Sequence, residues 1–347
     1  MKTINYSTRV ALTGMLAAVV LASSVASPAQ AQTQVVNVYS ARHYGALEKV
    51  FAEFTKETGI QVRLSSGSSQ ALLERLRADG KQTPADLFMV IDAGTLQLAA
   101  EEGLLQPVRS EVLDKAVPPE LRDPEGRWYA LSQRMRTIVY NPAKVKPEEV
   151  QDYADLANPK WRGRLCLRPA THIYTISLTA SLIATRGARE AERIVRGWVN
   201  NRPQFIDSDT RILETIEAGR CDVGITNHYY VGNKLKANAN FPVKLVWANQ
   251  KGAGVHVNIT GAGVTAAAPN RDNAIRLLEW LVTKGQGPAD THLPGGNSEF
   301  PVNPSAQAPK VLESLVGTGF KIDYATLRQY GKLQADAIKL LERVRYQ

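Results

Sequence analysis

The sequence predicts an α/β protein of two lobes, with mixed sheets flanked by helices and a ligand cleft between the lobes. Three observations lead there. Short apolar strands alternate with amphipathic helices along the chain, the rhythm of sheets covered by helices. Nothing repeats at a fixed period. No low-complexity tract or flexible linker divides the 347 residues, as expected where a chain passes between lobes more than once.

Val35 to Tyr39 reads as the first strand. Leu47, Val50, Phe51 and Phe54 then recur at helical spacing, and Gly59 ends that helix. Ile60, Val62 and Leu64 alternate as a second strand, and a helix carrying Leu72, Leu73 and Leu76 runs to Gly80. Leu87 to Ile91 is a buried strand, followed by helix to Gly103. This βαβαβα rhythm argues a mostly parallel sheet. A second unit begins after Arg134. Its expected elements are a strand at Arg164 to Leu167, a helical stretch from about Ile176 to Asn200, a helix at Ile212 to Ala218 and a strand at Asp222 to Ile225. Strands at Val243 to Val246 and Val255 to Ile259 follow, then an apolar helix from Ala274 to Thr283 and a long terminal helix from Tyr324 to Val344. Ligands bind at the carboxyl ends of strands in such sheets.

The first 31 residues read as an export leader. Lys2 and Arg9 give the positive start, Ala11 to Ala26 is almost wholly small and apolar, and Ala29-Gln30-Ala31 is a small-x-small cleavage site. The apolar run is short for a membrane anchor, and no cysteine follows the cleavage site. The expectation is a soluble periplasmic chain starting at Gln32. Removing 31 of 347 residues leaves 316, enough for two domains. The leader holds two of the 42 basic residues and no acidic one, so 40 against 33 leaves a net charge of +7. Without a dense Lys/Arg run or an aromatic-basic motif, that excess belongs to solvated faces and not to nucleic-acid binding. Cys166 and Cys221 are the two cysteines, each eight residues before a tyrosine, Tyr174 and Tyr229. Export favours a disulfide, which would tie together the segments delivering those tyrosines and favour folding by about 4 kcal/mol in the chain-entropy model. The alternative is two buried free thiols.

Five residues carry the chemistry: His43, Tyr44, Tyr174, Tyr229 and Tyr230. Phenolate is a hard anionic donor and imidazole also suits iron, so the set fits Fe³⁺, whose charge compensates for the protons the tyrosines lose. All three segments fall at strand-to-helix junctions. Tyr229 and Tyr230 reach one metal only from a turn or helix start, because strand neighbours point to opposite faces; the plain alternative is one core and one exposed tyrosine. The stretch Ser65 to Ser69 before a helix offers hydroxyls and amides to an oxyanion, or is a capped loop. Gly261-Ala262-Gly263 has no phosphate-loop lysine, which favours a close-packed strand. His172, His228, His256 and His292 show no metal-like spacing, and neither a Gly-x-Ser-x-Gly elbow nor a His-Glu-x-x-His helix occurs.

Val38-Tyr39-Ser40-Ala41-Arg42-His43-Tyr44 resembles the periplasmic ferric-iron-binding proteins of bacterial ABC-type importers. The likeness continues through Pro84-Ala85-Asp86-Leu87, Leu156 to Gly163, Asn227-His228-Tyr229-Tyr230, His256 to Gly261 and Asn297-Ser298-Glu299-Phe300-Pro301-Val302. It implies the periplasmic-binding-protein fold (type II), two lobes joined by crossing strands that close over ligand. Here the lobes would be 32–133 with 261–306, and 134–260 with 307–347. It also implies Fe³⁺ held by His43, Tyr44, Tyr174, Tyr229 and Tyr230, the first two from one lobe and the rest from the other. His172 and His228 stand where many relatives have other polar residues, and Phe300 replaces a common tyrosine.

These readings make the chain a monomeric carrier, not an enzyme. It would take Fe³⁺ from a weak chelate and present it to a membrane permease driven by an ATPase. Four phenolates against Fe³⁺ leave one net negative charge, which Arg136 is the candidate to offset. The rivals are an oxyanion carrier of the same fold and an exported hydrolase using His43 or His228 as general base.

Overall fold

A computed structural model of the chain describes residues 34–42 and 46–347; the export leader, His43 and Tyr44 lie outside them. The first half runs β1 (Val35–Ser40), α1 (Ala46–Thr58), β2 (Gln61–Ser66), α2 (Ser69–Asp79), β3 (Leu87–Val90), α3 (Ala93–Glu101) and α4 (Glu111–Ala116). Apolar patterning and periodicity place all of these but α4, which was not expected, within a residue or two of expectation. Local capping fixes the helix starts, since Ser68 accepts from the Ala71 amide and Asp92 from the Thr95 amide.

β4 (Tyr129–Tyr140) follows, then β5 (Leu165–Leu167), α5 (Ile173–Arg186), α6 (Ala188–Asn200), β6 (Gln204–Phe205), α7 (Asp209–Glu217), β7 (Val223–Asn227) and α8 (His228–Ala237). The single helix expected from Ile176 to Asn200 is two helices. Gly187, at φ 77°, breaks them apart. The remainder is β8 (Lys244–Val246), β9 (Val255–Val264), α9 (Arg271–Val282), α10 (Leu293–Asn297), α11 (Lys310–Val316), β10 (Ile322–Asp323) and α12 (Tyr330–Arg343). The terminal helix starts six residues later than Tyr324, because Ile322 and Asp323 pair with β9 first.

One sheet runs β2-β1-β3-β9-β4-β7-β5-β6, with β10 beside β9 and β8 beside β4. Its flanks are parallel: β1 with β2 and β3, and β5 with β6 and β7. Its centre is antiparallel, so the sheet is mixed. β4 pairs with β9 through Tyr129 to Arg136 and with β7 through Arg136 to Tyr140, while the far end of β9 pairs with β3. The two long strands thus join a β2-β1-β3 half to a β7-β5-β6 half. A Cβ at Gly261 would lie 2.7 Å from Leu96 Cδ1 and 2.9 Å from the Tyr129 carbonyl, so the close-packed reading of Gly261-Ala262-Gly263 holds. β4 went unread by periodicity because Ser132, Gln133, Arg134 and Arg136 interrupt its apolar pattern, although all but Gln133 are buried.

Cys166 and Cys221 form a disulfide with Cα atoms 5.9 Å apart, at the base of the segments leading to Tyr174 and Tyr229. Among the described residues no helix is long and apolar enough to cross a membrane.

Candidate functional site

The Asn227-His228-Tyr229-Tyr230 segment lies where β7 gives way to α8, with Asn227 at the helix N-cap. A helix turns its residues by about 100° each, against about 180° on a strand, so adjacent tyrosines are not forced to opposite faces; their rings lie 4.3 Å apart. Tyr229 is buried and Tyr230 half-buried. Tyr174 sits in the first turn of α5, where His172 caps the helix: its Nδ1 accepts the Tyr174 amide proton at 3.2 Å. That hydrogen bond leaves the imidazole proton on Nε2. Burial, then the neighbouring Arg168 charge, pushes His172 down to about 4, so it is neutral at neutral pH.

The two junctions meet. Tyr174 Oη and Tyr229 Oη are 3.2 Å apart, and Asn227 Nδ2 lies 3.4 Å from Tyr229 Oη. For a small metal bound at about 2 Å, adjacent donors lie roughly 3 Å apart, so this spacing suits two oxygens sharing one ion. A cavity of about 330 Å³ borders Tyr174 and Tyr230, with Ala41, Ile91, Arg168 and His172 in its wall. The structure brings together three of the five sequence-predicted ligands, while His43 and Tyr44 belong to the undescribed segment. Among the described residues, no three His, Cys, Asp or Glu gather as a metal site.

Two buried arginines lie against the Tyr174 ring, and a third buried arginine precedes His43. Arg136 lies 5.5 Å from the Tyr174 ring centre, but its charge is answered by Asp209 at 2.8 Å, with Asn227 and the Ile225 carbonyl as further acceptors. Arg134 lies 5.3 Å from the same ring. It donates to the Ile91 carbonyl, yet its Nε and Nη1 have no hydrogen-bond partner among the described residues. Burial opposes its charge, but Tyr174, Glu299 and Tyr229 outweigh burial and raise its pKa. Arg134 is the residue sequence reading missed. Alternation places it on the same face of β4 as Arg136, and that pattern was the available signal. The third, Arg42, adjoins His43 in sequence. It pairs with Glu299 at 2.8 Å and also donates to Ser132 Oγ, Thr260 Oγ1 and the Leu293 carbonyl.

The other singled-out residues have packing roles. His228 Nδ1 accepts the Met135 amide proton, and its ring packs 4.8 Å from that of Phe300. His256 Nδ1 bonds Tyr330 Oη at 2.9 Å. In the Ser65 to Ser69 stretch, Ser68 caps α2.

Residues 38–288 match the family described as bacterial extracellular solute-binding protein. The iron uptake protein A1 of Synechocystis sp. (strain ATCC 27184 / PCC 6803 / Kazusa) is 38% identical over 319 residues, covering 89% of this chain and 87% of the relative. The major ferric iron-binding protein of Neisseria meningitidis serogroup B is 26% identical over 301 residues, covering 85% and 88%. Among solved structures, a Trichodesmium protein in complex with iron and citrate ligands matches with a TM-score of 0.81 at 40% identity, over 90% of this chain and 100% of that one.

Proposed function

We propose that this chain, which belongs to the bacterial extracellular solute-binding protein family, captures ferric iron between two lobes and delivers it to an ABC-type permease. It is a carrier and not an enzyme. The observation that carries this reading is the 3.2 Å approach of the Tyr174 and Tyr229 hydroxyls beside a buried arginine with unused donors. Hydroxyls so placed lose their protons to a tripositive ion most readily where a fixed positive charge is already present.

The ligand set we propose is His43, Tyr44, Tyr174, Tyr229 and Tyr230. Arg134, with Arg136 behind it, offsets the single negative charge that four phenolates leave on Fe³⁺. The lobes are 32–133 with 261–306 and 134–260 with 307–347, a division supported by β4 and β9 pairing with each other between β3 on one side and β7 on the other. Metal bound from both lobes shifts the population toward the closed form, which the permease and its ATPase then recognise. The chain acts as a periplasmic monomer, its leader cut after Ala31, and iron reaches it as a weak chelate.

The test is the visible spectrum of iron-stripped mature protein titrated with ferric citrate. A tyrosinate-to-iron band saturating near one iron per chain is expected. Tyr229→Phe should weaken that band and lower iron affinity by about a hundredfold or more, in keeping with the loss of an ionised ligand. A colourless titration would overturn the tyrosinate site.

A further inference from the structure

The segment Asn297 to Phe300 has no part in the proposed ligand set, yet it touches Arg42 at the end of β1, Gln133 and Ser132 on β4, and His228 and Asn233 on α8. Its four residues run from the last residue of α10 into the chain leading to α11, and the first three are buried. Glu299 receives the Arg42 guanidinium at 2.8 Å and the Ser132 hydroxyl at 2.6 Å, so it fixes the backbone immediately before His43. Asn297 Oδ1 accepts from Asn233 Nδ2 at 3.2 Å, and Ser298 Oγ donates to Asn233 Oδ1 at 2.8 Å. Asn233 lies on α8, one turn beyond Tyr229 and Tyr230. Phe300 exchanges two backbone hydrogen bonds with Gln133, next to Arg134, and its ring lies against His228.

Two further details show that this contact is specified. Ser298 holds φ at 52°, a left-handed conformation uncommon for a residue with a side chain. Such strain persists where surrounding contacts over-determine it. Opposite it, a Cβ at Gly232 would come within 3.1 Å of Ser298 Cβ, so α8 approaches the segment as closely as a glycine there permits. Lys236, one turn further along α8, donates to the Gly295 carbonyl at 2.9 Å.

We infer that Asn297–Phe300 positions the metal site: one short segment clamps the strand end leading to His43-Tyr44 and the helix carrying Tyr229-Tyr230. The inference rests on the ferric reading of those tyrosines. Its residues are positioning residues, since none supplies a donor atom to iron. Under the proposed lobe division, Asn297 to Phe300 belongs to one lobe and Asn233 to the other, so the Asn233 contacts bridge the two and hold them together. They therefore slow iron release without changing the ligands.

The experiment uses mature full-length protein loaded with ferric citrate, and compares wild type with Asn233→Ala, Ser298→Gly and the double variant. The readouts are iron transfer to an excess of competing chelator, the charge-transfer spectrum, and the melting temperature of the iron-free form. Asn233→Ala removes two side-chain hydrogen bonds, and release about tenfold faster is expected at an unchanged band position. Ser298→Gly relieves the backbone strain while removing the hydroxyl, so release should accelerate with the iron-free melting temperature held or raised. A merely structural residue would not separate the two. The double variant should release little faster than the faster single one, because both lose the same contact. Wild-type release rates in both single variants, or single effects that multiply in the double, would overturn the inference. A wild-type protein that forms no band would overturn the ferric reading instead.

Discussion

Arg42 and Arg134 are both buried beside the ligand-bearing segments, yet their surroundings differ in kind. Arg42 has Glu299 for its charge and three further acceptors for its N–H groups. Arg134 has a backbone carbonyl, the Tyr174 ring, donors left over and, among the described residues, no carboxylate at ion-pair distance. A buried charge without a carboxylate is costly, and a fold keeps one where something else supplies the negative charge. The comparison separates an arginine that holds the frame from one that completes the site. Arg136, closed off by Asp209, is nearer in character to Arg42, although it lies almost as close to Tyr174 as Arg134 does.

The largest expected effect breaks the Arg42 side. Glu299→Gln leaves Arg42 buried without its counter-charge, and a loss of roughly 3–5 kcal/mol of stability is expected, read as the denaturation midpoint of the iron-free protein. Arg134→Gln should do the opposite. Iron-free stability should hold or rise, while ferric affinity falls by about tenfold or more, the scale of one charge-assisted contact. If the two substitutions affected stability alike, the distinction would fail.

Acid sharpens the same contrast. Burial pushes His228 down to about 4 and His256 to about 3, and burial with Arg168 pushes His172 to about 4, all from 6.5. A histidine with a depressed folded pKa contributes its full stability above about 6.5, and loses it as pH falls toward the folded value. Glu299 behaves differently. Burial would raise its pKa, but Arg42 and Arg134 outweigh burial and hold it below the usual carboxylate value of 4.5. Its contribution survives until pH drops beneath that value. Iron-free stability should therefore decline first between about pH 6.5 and 4, and His228→Gln should flatten that part of the profile. The smallest effect is expected at Asp207, 81% exposed in its pair with Arg168. Asp207→Asn should change neither iron affinity nor stability beyond about 0.5 kcal/mol.

Most secondary structure was legible because it is local. Short apolar runs marked β1 and β3, alternation marked β2, and the spacing of Leu72, Leu73 and Leu76 marked α2. β4 was not legible, since a strand whose polar side chains face a buried site loses the apolar alternation that periodicity detects. The long helix expected from Ile176 failed at Gly187, where backbone conformation outweighed the continuing apolar pattern. In the site, tyrosines at strand-to-helix junctions could be named from the chain, and the helix start that keeps the Tyr229 and Tyr230 rings 4.3 Å apart was the geometry their adjacency required.

The sequence by itself determined the α/β class, the paired cysteines as candidates for a bridge, and the residue types of the site. Each follows from short-range pattern or from the chemistry of a side chain. Tertiary structure decided which groups meet: Tyr174 with Tyr229 across 55 residues, Arg42 with Glu299 across 257, and Arg136 with Asp209 across 73. The physical reason is that such pairings depend on sheet order and helix docking. Those are set by how whole faces pack, and no local window of the chain contains them.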